Sequence, residues 1–319
     1  MRTKIAIYDV FARRPFEGNQ AAVINKGRGR LSDKQFLTLA RELSLAETVI
    51  LSRRGNDLVF RFANTDRILK ACGHGTLAGI AHHVLWGTPR ENKKKKEWRG
   101  RYRIGSAVAE WRLSPVTSSK TVHSGLEIAV AWPVRPRLVT SIPVHSVYRA
   151  LGLRQPYRNL NLPLCIYDSG NLNALVPVRT LSELKRATPN GPLLKRLFAK
   201  YGLTDLHMYC LLQCDPANRK VRLHCRNLFP YGLFEETATG TASVSLATAL
   251  IDHLPKLRTY DQPIEFLFEQ GIGKRRGIIS VQWLPKVRRG NPTIWLRGRV
   301  FCAIRGDLLS TLEKRAYVT

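Results

Sequence analysis

The chain is 319 residues long, enough for one large domain or two ordinary ones, and 44% of it is hydrophobic. No stretch approaches the roughly 20 consecutive apolar residues of a membrane span, and six cysteines in a chain of this size do not describe a disulfide scaffold. The formal net charge of +29 draws the protein toward polyanions at low salt, which admits nucleic acid or an acidic metabolite as a partner.

The opening MRTKIAIYDVF alternates as a strand from Lys4 to Phe11. It lacks the apolar core of a signal peptide and the serine-rich character of a transit peptide, so a cytoplasmic protein is expected. A turn at residues 13–19 leads to a short strand at 21–24. Ser32 starts a helix with Gln35 completing a capping box, and Phe36, Leu39, Ala40 and Leu43 form its apolar stripe. Glu47 opens a strand at 48–51, and Gly55-Asn56 turns it into another at 58–62. A glycine-rich turn then feeds a helix, apolar almost all round, that ends near Trp86 with His82 and His83 late in it. After a charged loop at 87–97, strands are expected at 98–104, 107–113 and 126–132. The proline-rich residues 132–143 read as the passage between two halves.

The second half repeats the mixture. Helices are expected near 144–151, 181–187 and 193–201, with a strand at 172–177. A hairpin at 208–213 and 221–224 turns on Asp215-Pro216-Ala217-Asn218. A second glycine-rich turn feeds a second buried helix, and residues 264–304 are mostly strands. This is an α+β pattern. Its first half is expected at residues 1–125 plus 300–319, and its second at 126–299. His207, Cys210, Cys214, His224 and Cys225 fit no common zinc spacing and read as core or face residues of strands, so no metal is expected. The basic runs at 93–96, at Arg99, Arg101 and Arg103, at Lys274-Arg275-Arg276 and at 286–289 fall in or beside expected loops. Only Trp98 and Tyr102 interleave with them, so they read as a solvated surface with at most non-specific affinity for nucleic acid.

The most informative feature is the glycine-rich turn that occurs twice. Cys72-Gly73-His74-Gly75-Thr76 precedes the first apolar helix, residues 77–86, and Thr237-Ala238-Thr239-Gly240-Thr241 precedes the second, residues 242–254. Aligning Gly75 with Gly240 sets an offset of 240 − 75 = 165 residues, about half the chain, and also matches Thr76 to Thr241 and Leu85 to Leu250. A helix N-terminus carries unpaired N–H donors and a partial positive charge. Two such ends facing one cleft would hold a small carboxylate from both sides.

Several blocks resemble the phenazine-biosynthesis (PhzF-like) isomerase family. They are Tyr8-Asp9-Val10-Phe11, Pro15-Phe16-Glu17-Gly18-Asn19-Gln20-Ala21-Ala22-Val23, Glu42-Leu43-Ser44-Leu45-Ala46-Glu47-Thr48, the first turn, Arg226-Asn227-Leu228-Phe229-Pro230, Glu235-Glu236 with the second turn, and Phe268-Glu269-Gln270-Gly271. They lie in the family's order and span nearly the whole chain. The resemblance implies the diaminopimelate epimerase-like fold, two pseudo-symmetric halves that are each a curled, mainly antiparallel sheet around a central helix. It also implies a cofactor-independent isomerase, usually a homodimer, that moves a proton on a small carboxylated substrate.

By that resemblance Glu47 is the general acid/base, and His74 and Glu236 share the catalytic site. Asn19, Cys72, Gly73, Gly75, Thr76, Thr237, Ala238, Thr239, Gly240 and Thr241 are expected to contact substrate. A carboxyl serves as acid and base when burial brings its pKa toward neutrality. The chain departs from the family where Glu236-Thr237 replaces the usual Asp-Pro and Gln20 replaces a common proline. In the 165-residue alignment Cys72 and Thr237 take the places of the two opposed cysteines of cofactor-free racemases. A threonine hydroxyl is too weak an acid for that task, which favours one-sided chemistry. Two alternatives stand beside the isomerase: a catalytically silent binding protein with a basic surface, and a dehydratase or epimerase that depends on Cys72.

Overall fold

The computed structural model describes residues 3–25, 31–86, 98–114, 125–153, 162–229, 235–258, 262–285 and 293–308. The basic runs at 93–96 and 286–289, the charged loop at 87–97, Pro230 and the last eleven residues of the expected C-terminal segment, 309–319, lie outside them.

In the first half the strands are β1 (Thr3–Val10), β2 (Asn19–Asn25), β3 (Glu47–Arg54), β4 (Asp57–Ala63), β5 (Ile68–Leu69), β6 (Trp98–Ile104), β7 (Ala107–Ser114) and β8 (Leu126–Ala131), with helices α1 (Asp33–Leu43) and α2 (Gly73–Trp86). The second half holds β9 (Arg137–Ser141), α3 (Val144–Ala150), β10 (Cys165–Asp168), β11 (Leu172–Pro177), α4 (Leu181–Arg186), α5 (Gly191–Tyr201), β12 (Asp205–Asp215), β13 (Lys220–Leu228), β14 (Glu235–Glu236), α6 (Gly240–His253), α7 (Pro255–Arg258), β15 (Ile264–Gln270) and β16 (Gly277–Leu284). The long β17 (Thr293–Leu308) serves both halves.

The first half closes on itself. β4, β3, β2, β1, β17, β8, β7 and β6 pair in turn, and β6 returns to β4. Two contacts in this ring are parallel, β2 with β3 and β4 with β6, and the rest are antiparallel. α2 lies inside, buried from Gly73 to Val84. A helix can be apolar on every side only when strands surround it. The second half repeats the pattern. β11 and β12 are parallel, as are β13 and β15, while β10–β11, β12–β13, β15–β16 and β16–β17 are antiparallel. α6 is buried from Gly240 to Ile251. The architecture is the two-half α+β fold expected from the sequence.

Two segments differ from expectation. The proline-rich passage contains β9, whose residues are all exposed, and β10 pairs it to the second sheet although no strand was expected at 165–168. β9 has no buried alternate face, so nothing in its pattern announces a strand. The sheet is continuous through residues 126 and 300. β8 pairs with β7 and with Trp295–Val300 of β17, whereas Thr293–Arg297 of the same strand pairs with β16.

The pairing also corrects the internal alignment. α2 and α6 are both 14 residues long and begin at Gly73 and Gly240. Thr76 donates through N and Oγ1 to the Cys72 carbonyl at 3.0 and 2.7 Å, and Ser243 does the same to the Thr239 carbonyl at 3.1 and 2.9 Å. The structural offset is therefore 240 − 73 = 167 residues, and Thr239, not Thr237, stands opposite Cys72. Sequence identity had favoured Gly75 because its neighbour is also threonine. The helix start is decided instead by which N–H first bonds back to the residue before the helix.

Candidate active site

The two helix starts meet. A Cβ placed on Gly73 would lie 3.1 Å from the Gly240 Cα and 2.9 Å from Leu296 Cδ2, and one on Gly240 would lie 2.8 Å from the same Leu296 atom. A Cβ at either position would make Leu296 or the facing backbone shift. Each first turn carries N–H groups with no acceptor inside its own helix. Both turns border a cavity of about 360 Å³ that also reaches Glu47, Cys72, His74, Glu236 and Thr239.

Glu47 is delivered by the end of α1. Ser44 caps that helix in the left-handed conformation (φ 48°), and three residues later Glu47 opens β3 beside Ala21 of β2. The side chain is 2% exposed, and its Oε1 has no hydrogen-bond partner. Burial pushes its pKa well up, the Cys72 hydrogen bond pulls it back, and the Glu236 charge raises it further. Desolvation thus favours the protonated form of this carboxyl.

Cys72 is buried, and the loss of solvent followed by the charge of Glu47 holds its thiol well above the usual range. Its sulfur lies 3.4 Å from His74 Nδ1 and accepts from Gly75 N at 3.2 Å. Only a thiolate is a strong nucleophile or base. His74 is pulled down to about 3 by burial. Its Nδ1 lies 3.8 Å from Glu236 Oε1, but a neutral imidazole makes this a polar contact, not an ion pair.

The Glu236 carboxyl is held from two sides. Asn19 Nδ2 donates to its Oε1 at 2.6 Å and to the Ala238 carbonyl at 2.9 Å, and Thr239 Oγ1 donates to Oε2. Burial raises Glu236 to about 7 even though both donated bonds favour the charged form. The extra methylene relative to aspartate is thus absorbed by hydrogen bonds that aim the carboxyl. Gln270 fixes the turn behind it: Nε2 donates to the Glu236 carbonyl at 2.8 Å and to Thr239 Oγ1 at 2.9 Å, and Oε1 accepts from Thr239 N at 3.0 Å. Arg275 braces the Asn19 loop, donating to the Gly18 carbonyl at 2.8 Å and pairing with buried Asp9. One residue of a basic run expected to be solvated is therefore a structural clamp.

Of the expected contact residues, Gly73, Gly240 and Thr241 also border the cavity. Asn19 does not border it and bonds Glu236 instead. Gly75 bonds Cys72, Thr76 Oγ1 bonds back to the Cys72 carbonyl, Thr237 Oγ1 donates to the Gly18 carbonyl at 2.8 Å, and the Ala238 carbonyl receives Asn19; none of these four borders the cavity. Sequence reading missed Asp205, Asn171 and Arg67, which do. His207 and His224, weighed as zinc ligands, bond Asn227 Oδ1 at 2.9 Å and the Gly271 carbonyl at 2.9 Å. Among the described residues, the three groups close enough to share a metal ion are Glu47, Cys72 and His74, with donor atoms within 4.8 Å of one another. No helix among the described residues is long and apolar enough to cross a membrane.

Two pseudo-symmetric halves, joined at paired helix starts over a cleft of buried carboxyls, define an epimerase-like scaffold. The chain belongs to the phenazine biosynthesis-like (PhzC-PhzF) family, whose model matches residues 8–306. It is 27% identical over 282 residues to an uncharacterized isomerase of Clostridium acetobutylicum, covering 86% of this chain and 87% of that one. It is 26% identical over 272 residues to the trans-2,3-dihydro-3-hydroxyanthranilate isomerase of Pseudomonas fluorescens, covering 84% and 86%. A PhzF-family phenazine biosynthesis protein of Bacillus anthracis shares its fold with a TM-score of 0.78 at 20% identity, over 97% of this chain and all of that one.

Proposed function

We propose that this isomerase works without a cofactor, moving a proton on a small carboxylated metabolite with Glu47 as the acid/base. The observation that carries the reading is the unpartnered Glu47 Oε1, buried in the cavity beside two helix starts. The substrate carboxylate would lie against the free N–H groups of α2 and α6. Glu47 would take a proton from a carbon made acidic by an adjacent unsaturated or carboxylated group, then return it elsewhere on the same face. Neutral His74 and the hydrogen-bonded Glu236 would position the substrate, and the helix ends would stabilise the charge that develops. Burial and the charge of Glu47 both disfavour a thiolate at Cys72, which supports the carboxylate reading over the thiol-dependent alternative.

The substrates of its relatives suggest where to begin. Incubation with trans-2,3-dihydro-3-hydroxyanthranilate and a panel of unsaturated carboxylic acids in D₂O, followed by NMR, should reveal a rearranged product, deuterated at the reprotonated carbon where the shuttled proton exchanges. Glu47→Gln should remove that activity while leaving binding intact. An active Glu47→Gln with a dead Cys72→Ser would replace the carboxylate mechanism with a thiol one. A homodimer is expected from the family, and sedimentation equilibrium reads it directly.

A further inference from the structure

The pseudo-twofold gives Glu47 a counterpart. Ser44-Leu45-Ala46-Glu47 follows α1, and Gly202-Leu203-Thr204-Asp205 follows α5. Each run begins with a left-handed helix cap, φ 48° at Ser44 and 62° at Gly202, and each ends on the first residue of a strand. Those strands occupy matching places: Glu47 pairs with Ala21 in the parallel β2–β3 contact, and Asp205 with Asn173 in the parallel β11–β12 contact. Both carboxyls border the same cavity, and both are almost fully buried, at 2% and 1% exposure. Each keeps one oxygen without a partner, Oε1 of Glu47 and Oδ1 of Asp205.

An acid with an unsatisfied oxygen is costly to bury, so it calls for a ligand to complete it. Asp205 Oδ2 is already taken by Asn173 Nδ2 at 2.8 Å, and Asn173 is locked in turn by Ser169 and Ser245. That leaves Oδ1. Three buried carboxyls share this cavity, Glu47, Glu236 and Asp205, with Asp66 exposed at its rim, and an anionic substrate would add a further negative group. They cannot all be ionised together. Glu47 must be ionised when it acts as base, and Glu236 accepts two side-chain hydrogen bonds that favour its charge. Asp205 accepts one. Arg67 also faces it and favours ionisation, but burial and the Glu236 charge oppose this and push Asp205 well up.

We propose that Asp205, protonated on Oδ1, donates a hydrogen bond to an oxygen of the bound substrate and stabilises the negative charge that builds there as Glu47 removes a proton. The proton leaves carbon for Glu47, and the C–H electron pair moves onto the conjugated substrate oxygen. Asp205 keeps its own proton throughout and shares it. When the pair returns to carbon, the Glu47 proton closes the reaction. A preorganised donor in a dry site is worth far more than one in water. The inference rests on the proposed carboxylate-binding cleft and adds a residue and a protonation state to it.

The test uses anthranilate as probe, the carboxylate-bearing ring in the name of the relatives' substrate. Its affinity for the full chain is measured by calorimetry from acid to alkaline pH, for wild type, Asp205→Asn and Asp205→Ala, with thermal melts to show that each variant is folded. Asparagine keeps a donor at the same place and cannot ionise. It should bind within about threefold of wild type and lose the part of the alkaline decline that ionisation of Asp205 gives the wild type, Glu236 contributing the rest. Alanine should bind about tenfold or more weakly, the loss of one hydrogen bond to a charged group. Wild-type binding that Asp205→Ala leaves unchanged overturns the role of Asp205 alone. So does an asparagine variant as weak as alanine, since Asp205 would then be accepting a bond from a cationic group. Failure of wild type to bind anthranilate at any pH would overturn the carboxylate cleft itself, and with it this role.

Discussion

The two helix starts share a frame and differ in chemistry. At offset 167, Cys72, Gly73 and His74 fall on Thr239, Gly240 and Thr241. The first turn offers a thiol and an imidazole, both pushed by burial toward their uncharged forms. The second offers two hydroxyls, one of them spent on Glu236 and held by Gln270. A scaffold of two like halves can thus keep two matching helix starts while surrounding them with different side chains. Chemistry on one face follows more readily from such an asymmetric pair than from two equal bases.

The comparison can be broken most directly at Glu47. Glu47→Gln keeps the size of the side chain and removes its titration. Turnover should fall by about a hundredfold to ten-thousandfold, measured in single-turnover assays once a substrate is in hand. Cys72→Ser should cost under about tenfold, because its hydroxyl can still accept from Gly75 N. If the serine variant loses more than the glutamine variant, the first half works through sulfur.

The junction comes next. Gly240→Ala would drive a methyl toward Leu296 Cδ2 and the Gly73 backbone. A cost of about 1–3 kcal/mol in denaturant unfolding is expected from overpacking. Gln270→Ala should cost about as much, since it strands the Glu236 carbonyl and the Thr239 amide in a buried place.

A subtler effect is the pH dependence of stability. Glu236 has a folded pKa of about 7 against an ordinary 4.5. The folded state holds its proton more tightly than the unfolded chain does. Its contribution is therefore fully present below about 4.5 and is lost as pH rises through about 7. Glu236→Gln should flatten the decline in melting temperature across that window. A decline as steep in the variant as in wild type would assign it to Glu47 or Asp205. The smallest effect concerns the surface: if the basic runs are generic, binding of a random duplex DNA should be weak and fall steeply with added salt.

Much of the fold was legible because its signals are local. The Ser32-Gln35 capping box, the Gly55 turn, the apolar helices and the ordered motif blocks all depend on near neighbours in the chain. Glu47, His74 and Glu236 could be singled out because they sit inside those blocks. Asp205 could not. It stands in no block, and its significance comes from being three residues past a helix cap in one half, as Glu47 is in the other. Thr237 was placed opposite Cys72 for a related reason: sequence identity aligns side chains, while the pseudo-twofold aligns backbone hydrogen bonds.

The amino-acid sequence by itself determined two buried helices with glycine at their starts, because only a residue without Cβ lets those ends come together and only an enclosed helix is apolar all round. Which carboxyls share the cavity, which hold a proton there and which atoms go unpartnered were decided by the tertiary structure alone. Burial, unsatisfied oxygens and mutual repulsion are properties of groups brought together from distant parts of the chain, and here those groups come from β3, β12 and β14.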